Sequence, residues 1–170
     1  MAQSKPKIVY WKEGLAIRGT QVYLDANFVV GLVRTGHVWH NSAKALLEYL
    51  KQKPLTIQLS ALALNEAIYQ LLRLNDKEKA QDETEETVDR EREILRRLEE
   101  ALFSAPNLKY FEPPNTNFHR QTLNAIFSYK LDPTDAFHYT AARHLNCPLV
   151  SNDAGFQKIL DPNLTIITFF

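Results

Sequence analysis

The amino-acid sequence predicts an α/β protein, a three-layer α/β/α sandwich built on a central, mainly parallel sheet. Two observations carry this expectation. From residue 21 to the end, short runs rich in β-branched and aromatic residues alternate with longer stretches of helical periodicity, which is the pattern of successive βα units. The chain has 170 residues, 45% of them apolar and 24% charged. That is an ordinary globular balance, and the length suits one domain burying about two-thirds of its unfolded surface.

"QVYL" (21–24) reads as the first strand of the alternation and "NFVVGLVRTG" (27–36) as a helix ending at Gly36. In "HNSAKALLEYLKQK" (40–53), Ala43, Leu46, Leu47 and Leu50 recur at helical spacing until Pro54 breaks the pattern, and "LTIQL" (55–59) is the next strand. Ser60 is placed to cap a helix whose apolar stripe is Leu64, Ala67, Ile68 and Leu71. From Asn75 to Glu93 the chain is nearly all polar and fits an exposed helix, a solvated loop, or both in sequence; Ile94, Leu95, Leu98 and Leu102 then restore a stripe. "LKYFE" (108–112) is a strand ended by Pro113 and Pro114, and "FHRQTLNAIFSYK" (118–130) a helix. Asp132 and Pro133 give the helix at 132–145 a cap and a first residue. "CPLVS" (147–151) is a strand, "GFQKIL" (155–160) a short helix and "LTIITFF" (164–170) the last strand. Residues 1–20 precede this alternation as an extension, in which "KIVYWKEGLAIRG" forms either an extra hairpin or a loose arm. The main domain is then 21–170, with a charged helical insert at about 75–100.

Formal net charge is zero, but 11 acidic and only 6 basic residues fall between Asp76 and Glu100. An acidic segment thus sits on a basic body. Such a body suits a polyanionic partner, although scattered solubilising charge explains the same counts. Cys147 is the only cysteine, which excludes a disulfide framework or a thiolate zinc site within one chain and fits a reducing cytoplasm. No apolar run approaches the roughly 18 residues of a membrane span. The opening "MAQSKPKIVYWKEG" has no unbroken apolar segment, so no secretory signal is expected.

In an open parallel sheet, ligands bind beyond the carboxyl ends of the strands. Asp25 follows "VYL", Asp153 follows "PLVSN", Glu66 lies in the second turn of the helix after "LTIQL", and Asp135 lies in the first turn of the helix feeding "PLV". Their separations of 41, 69 and 18 residues show no local regularity, so only the fold could bring them together. Each has an ordinary reading. Asp25 and Asp153 could end strands in turns, Glu66 could be a solvated or half-buried flank, and Asp135 could favour a helix dipole. Jointly they make a cage of like charge that needs cations. Mg2+ or Mn2+, as one or two ions, suits such a cage, and two ions about 4 Å apart can clamp a phosphodiester.

At this point the chain resembles the PIN-domain nucleases, including the VapC-like ribonucleases. "VYLDANFVVGLV" (22–33), "LSALALNEAIYQLL" (59–72) and "LDPTDAFHYTAARHLNCPLVSNDAGFQKI" (131–159) carry the resemblance. The family pattern falls on Asp25 with Asn27, Ser60 with Glu66, Asp135, and Asp153 followed by Phe156. The resemblance implies a metal-dependent endoribonuclease that hydrolyses phosphodiester bonds of single-stranded or structured RNA. Asp25, Glu66, Asp135 and Asp153 would hold the ions. Asn27 and Asn152 would orient Asp25, the water or phosphate oxygens. Asp132 would be a helix cap or an outer group, with Ser60 supporting the site. Arg34, Lys44 and Arg143 are candidate contacts to the RNA backbone. A small antitoxin partner and a homodimer are implied by toxin relatives, and no membrane association is expected. Ala26 stands where the family commonly has Thr or Ser. The insert and the extension are longer than compact toxins carry, which weakens the toxin assignment more than the nuclease one.

His37 with His40, and His138 with His144, are the only features suggesting zinc. The first pair reads as packing and capping, the second does not share a helical face, and neither has a third ligand nearby in sequence. The aromatic residues read mostly as packing. Two rivals remain: a non-catalytic PIN-fold scaffold binding RNA or protein through the insert, and a phosphatase with Asp25 as nucleophile. The second lacks the acid two residues on, where the chain has Asn27.

Overall fold

The computed structural model describes residues 4–13, 15–77 and 85–170, with side chains described over 4–13, 15–73, 89 and 91–170. Along the chain run β1 (Lys7–Trp11), β2 (Gln21–Leu24), α1 (Ala26–Val33), α2 (His40–Lys51), β3 (Thr56–Ser60), α3 (Ala61–Lys77), α4 (Glu85–Phe103), β4 (Leu108–Phe111), α5 (Thr116–Tyr129), α6 (Pro133–His144), β5 (Leu149–Val150), one 3-10 turn (Phe156–Lys158) and β6 (Thr165–Phe169). The six strands form one sheet in the order β1-β6-β5-β2-β3-β4. Every pairing is parallel, so the sheet is parallel throughout rather than mainly so.

Alternation along β2 divides the interior. Val22 and Leu24 face a core built with α1, α2, α3 and α4, through residues such as Phe28, Leu46, Ala67 and Leu102. Tyr23 points the other way, into a core with Phe118 of α5, Ala136 and Ala141 of α6, and Phe156. Helices therefore cover both faces, which is why the strands are apolar on both sides. No helix of the described residues is long and apolar enough to cross a membrane.

Residues 7–11 form neither a hairpin nor a loose arm. Lys7–Trp11 lies parallel to β6, with Lys7 opposite Thr165 and Trp11 opposite Phe169. Trp11 is buried against the Tyr49 ring, and the Tyr49 hydroxyl accepts from the Ile17 backbone N–H at 3.0 Å. The polar stretch at 75–93 is helical on both flanks, in α3 and α4, and residues 78–84 within it lie outside the described residues. On α4, Glu93 pairs with Arg96 and Arg97, while Leu98 and Leu102 dock on the first core. Some element ends differ from expectation. Helix α1 closes at Val33, where the Arg34 N–H bonds Val30 O, rather than at Gly36. Asn115 caps α5 by accepting from the Phe118 N–H, starting it two residues early. The stretch at 155–160 makes only one 3-10 turn.

The chain proceeds outward from β2 through β3 to β4, then crosses back to place β5 on the other side of β2. The sheet reverses direction between β2 and β5, and a crevice at the carboxyl ends of such strands is the standard ligand position. Three helices, α1, α3 and α6, present their N-termini to this edge, where partial positive charge favours anions.

Candidate active site

Asp25 follows Leu24 at the carboxyl end of β2 and is buried, with 4% of its surface exposed. It caps α1: Oδ1 accepts from the Ala26 N–H at 2.6 Å. Oδ2 accepts from the Ser151 hydroxyl at 2.6 Å. Ser151 follows Val150 on the adjoining strand, because Leu24 and Val150 are register partners. Burial raises the Asp25 pKa above the ordinary carboxylate range and Glu66 adds to the rise, while His138 and the Ser151 hydrogen bond oppose it.

Asp135 stands in the first turn of α6 under the cap formed by Asp132, whose Oδ1 accepts from the Thr134 and Asp135 N–H groups at 2.9 Å each. Its carboxyl is pushed up to about 7, first by burial and then by the charges of Asp132, Asp153 and Asp25. Asp153 is fixed by a tight turn. Its N–H donates to Ser151 Oγ at 3.0 Å, and its Oδ1 accepts from the Gly155 N–H at 2.6 Å. A Cβ on Gly155 would lie 3.0 Å from Asp153 Oδ1 and 3.6 Å from Asp135 Oδ2. A side chain here would press on the Asp153 carboxylate, which would have to give by a few tenths of an ångström.

Glu66 lies on α3, partly exposed, with Oε1 accepting from Gln70 Nε2 at 3.1 Å. Its Oε2 is 3.3 Å from Nε2 of His138, which is also 3.6 Å from Asp25 Oδ1. The far nitrogen, Nδ1, is 2.9 Å from the Tyr23 hydroxyl, itself 2.7 Å from Ser60 Oγ. Ser60 also accepts from the Ala63 N–H at 3.1 Å and so starts α3. Asp25, Glu66 and His138 each offer one atom within 4.8 Å of the other two, a spacing that could hold a metal ion.

Glu66 lies within electrostatic reach of Asp25, and Asp153 and Asp25 within that of Asp135, so the four carboxylates gather near the carboxyl ends of β2 and β5. Asn27 stands beside it, its Oδ1 3.4 Å from the Asn152 N–H and 3.5 Å from the Ser151 hydroxyl. Asn152 is differently employed: its side-chain amide donates to Phe169 O and accepts from the Phe169 N–H, tying the end of β5 to the end of β6. Arg143 is in the last turn of α6, at the opposite end from Asp135, and pairs with Asp161 at 2.8 Å. Lys44 lines a cavity between α2 and α4. His40 bonds Gly31 O and His37 accepts from the Trp39 N–H, local contacts of packing and capping.

Three side chains that the sequence alone does not assign to the carboxylate site lie against it: His138, Tyr23 and Ser151. The pairing of His138 with His144 is the more conspicuous signal, although His138 follows Asp135 by three residues and so shares a helix face with it. Tyr23 carries a hydroxyl into a central strand, and a buried phenol needs a partner.

A PIN domain family model matches residues 22–161. No curated protein matched the sequence. Among solved structures, the chain is similar to the VapC20 toxin of Mycobacterium tuberculosis, described as cleaving the sarcin-ricin loop, at 16% identity and a TM-score of 0.58 over 79% of this chain and 92% of that one. It is also similar to PAE2754 of Pyrobaculum aerophilum, at 15% identity and a TM-score of 0.56 over 86% of this chain and 90% of that one. A third likeness is FitAcB of Neisseria gonorrhoeae, at 12% identity and a TM-score of 0.54 over 86% of this chain and 96% of that one. These likenesses agree on the three-layer parallel fold, and the family match extends over most of the sequence. The chain belongs to the PIN domain family.

Proposed function

We propose that this protein is a divalent-metal-dependent endoribonuclease. The observation that carries this reading is the convergence of Asp25, Glu66, Asp135 and Asp153 at the point where the sheet changes direction, with Asp25 and Asp135 both raised in pKa by burial and by neighbouring carboxylates. His138 lies against two members of this cluster, Asp25 and Glu66. The donor set fits Mg2+ or Mn2+: hard oxygen atoms, several per ion, in a crevice rather than a closed cage. Asp25, Glu66, Asp135 and Asp153 would hold one or two ions, which when bound supply Lewis acidity toward a phosphodiester.

The chain's own groups define the rest. Ser151 fixes the rotamer of Asp25 and also takes the Asp153 N–H, so one hydroxyl sets two carboxylates. Asn27, on the first turn of α1, accepts from the Ser151 hydroxyl and the Asn152 N–H and so steadies the loop that carries Asp153. The N-termini of α1 and α6 favour a phosphate placed between them. RNA is the substrate this reading favours, since one structural neighbour is described as cleaving the sarcin-ricin loop. A toxin restrained by a small antitoxin, acting in the cytoplasm, is the corresponding biological setting, and self-association is consistent with it.

The test is cleavage of a mixed RNA pool by the purified chain with added Mn2+. Asp25→Asn is expected to lower the rate by at least about a thousandfold while circular dichroism and melting remain cooperative. An inactive wild-type protein, or full activity in the variant, would reject the proposal.

A further inference from the structure

His138 is wholly buried on α6, between the Tyr23 and Phe137 rings. Its Nε2 points at the two carboxylates of Asp25 and Glu66, at 3.6 and 3.3 Å. Its Nδ1 is held by Tyr23, and Tyr23 by Ser60. The imidazole therefore cannot swing out of the crevice without breaking a buried hydrogen-bond chain.

Building on the metal-dependent reading above, we propose that His138 Nε2 is a nitrogen ligand to the ion held by Asp25 and Glu66, and that this half of the site consequently selects Mn2+ over Mg2+. The spacing supports a shared ion. Adjacent ligands of an octahedral ion with bonds near 2.1 Å lie about 3.0 Å apart, so the observed 3.3 and 3.6 Å need contraction by only tenths of an ångström. The far side of the ring supports it as well. Ligating histidines characteristically engage their second nitrogen, which fixes the tautomer and the ring plane. Here Nδ1–H can donate to Tyr23 Oη while the Tyr23 O–H donates to Ser60 Oγ, leaving the Nε2 lone pair toward the carboxylates. The chemistry of the donors sets the preference. Mg2+ prefers oxygen and retains its waters, whereas a first-row transition ion accepts imidazole readily. Asp135 and Asp153 offer oxygen alone, so a second ion held by them would meet a donor set different from the one that includes His138.

The rival role for His138 is a positioning one, with Nε2–H donating to Glu66 and Asp25 and no bond to the ion. Pulsed electron paramagnetic resonance of the full-length protein loaded with Mn2+ separates the two. The expected result is 14N modulation from one imidazole in the wild type, lost in His138→Gln. Competition between the two ions, followed through free Mn2+, should show the preference for Mn2+ falling by about tenfold or more in that variant. Stoichiometric Mn2+ binding by the wild type without nitrogen coupling would overturn the assignment and leave the nuclease reading intact. Absence of any Mn2+ binding at millimolar ion would overturn both. The deciding measurement uses the wild-type chain and does not depend on how the variant folds.

Discussion

Replacing Asp135 by Asn should stabilise the metal-free protein while disabling it. In the folded state the Asp135 carboxyl is held up to about 7, by burial and by Asp132, Asp153 and Asp25, against an ordinary value of 3.8. At about 1.4 kcal/mol per pH unit, ionising Asp135 in the folded chain costs at most roughly 4 kcal/mol. The group is partly exposed, and screening by solvent reduces this to about 1–2 kcal/mol. Because the folded state binds the proton more tightly than the unfolded chain, the penalty is absent below about pH 4 and complete above about pH 7. Metal-free wild type should therefore lose stability across that interval, and Asp135→Asn should lose less. In EDTA at pH 8 the variant should melt about 3–6 °C above the wild type, with the difference vanishing near pH 4. Saturating Mn2+ should invert the order, since an ion at a hundredfold excess over Kd adds about 2.7 kcal/mol to the state that binds it. Differential scanning calorimetry over pH 4–8, with EDTA and with Mn2+, measures all of this. A variant less stable than the wild type in EDTA at pH 8 would refute the account of Asp135 as a strained carboxylate awaiting a cation.

Ser151→Ala removes the hydroxyl that donates to Asp25 and accepts from the Asp153 N–H, both in buried surroundings; it should cost about 2–3 kcal/mol in urea unfolding and at least tenfold in cleavage rate. Gly155→Ala brings a Cβ to 3.0 Å from Asp153 Oδ1, so Mn2+ affinity measured by calorimetry should fall by about tenfold, with a stability change under about 1 kcal/mol. Asn152→Ala strands the Phe169 N–H and C=O; it should destabilise by about 2 kcal/mol yet leave the rate per folded molecule within about threefold, because the amide anchors β6 instead of touching substrate.

The βα alternation was plain in the sequence because the central strands are mostly buried and apolar and most helices carry a cap or a stripe. The placing of Asp25 was legible for a related reason: an Asp directly after a buried apolar run sits where the strand leaves the sheet. What surrounds them was less accessible. Ser151 and Tyr23 lie on strands whose neighbours are set by crossover, and Tyr23 meets His138 across 115 residues of sequence. His138 had a usable signal in its three-residue spacing from Asp135, outweighed by the more conspicuous pairing with His144. Arg143 looked like an RNA contact from its charge alone, but helix length carries it some 12 Å along α6 from Asp135. The role of KIVYW was hidden because its partner strand begins at Thr165, and parallel pairing over such a distance leaves no local trace.

The pairing of β1 with β6 bears on when the sheet can close during synthesis. The two strands are about 158 residues apart in sequence, so the contact is among the most non-local the chain forms and among the slowest to close. Asn152, next to the crevice, takes its hold from Phe169. During translation Asp25 and Glu66 emerge well before β6, whereas Asp153 precedes its first residue, Thr165, by only 12 positions. A nascent chain therefore carries Asp25 and Glu66 past the ribosome before β6 is free to dock beside β1 and β5.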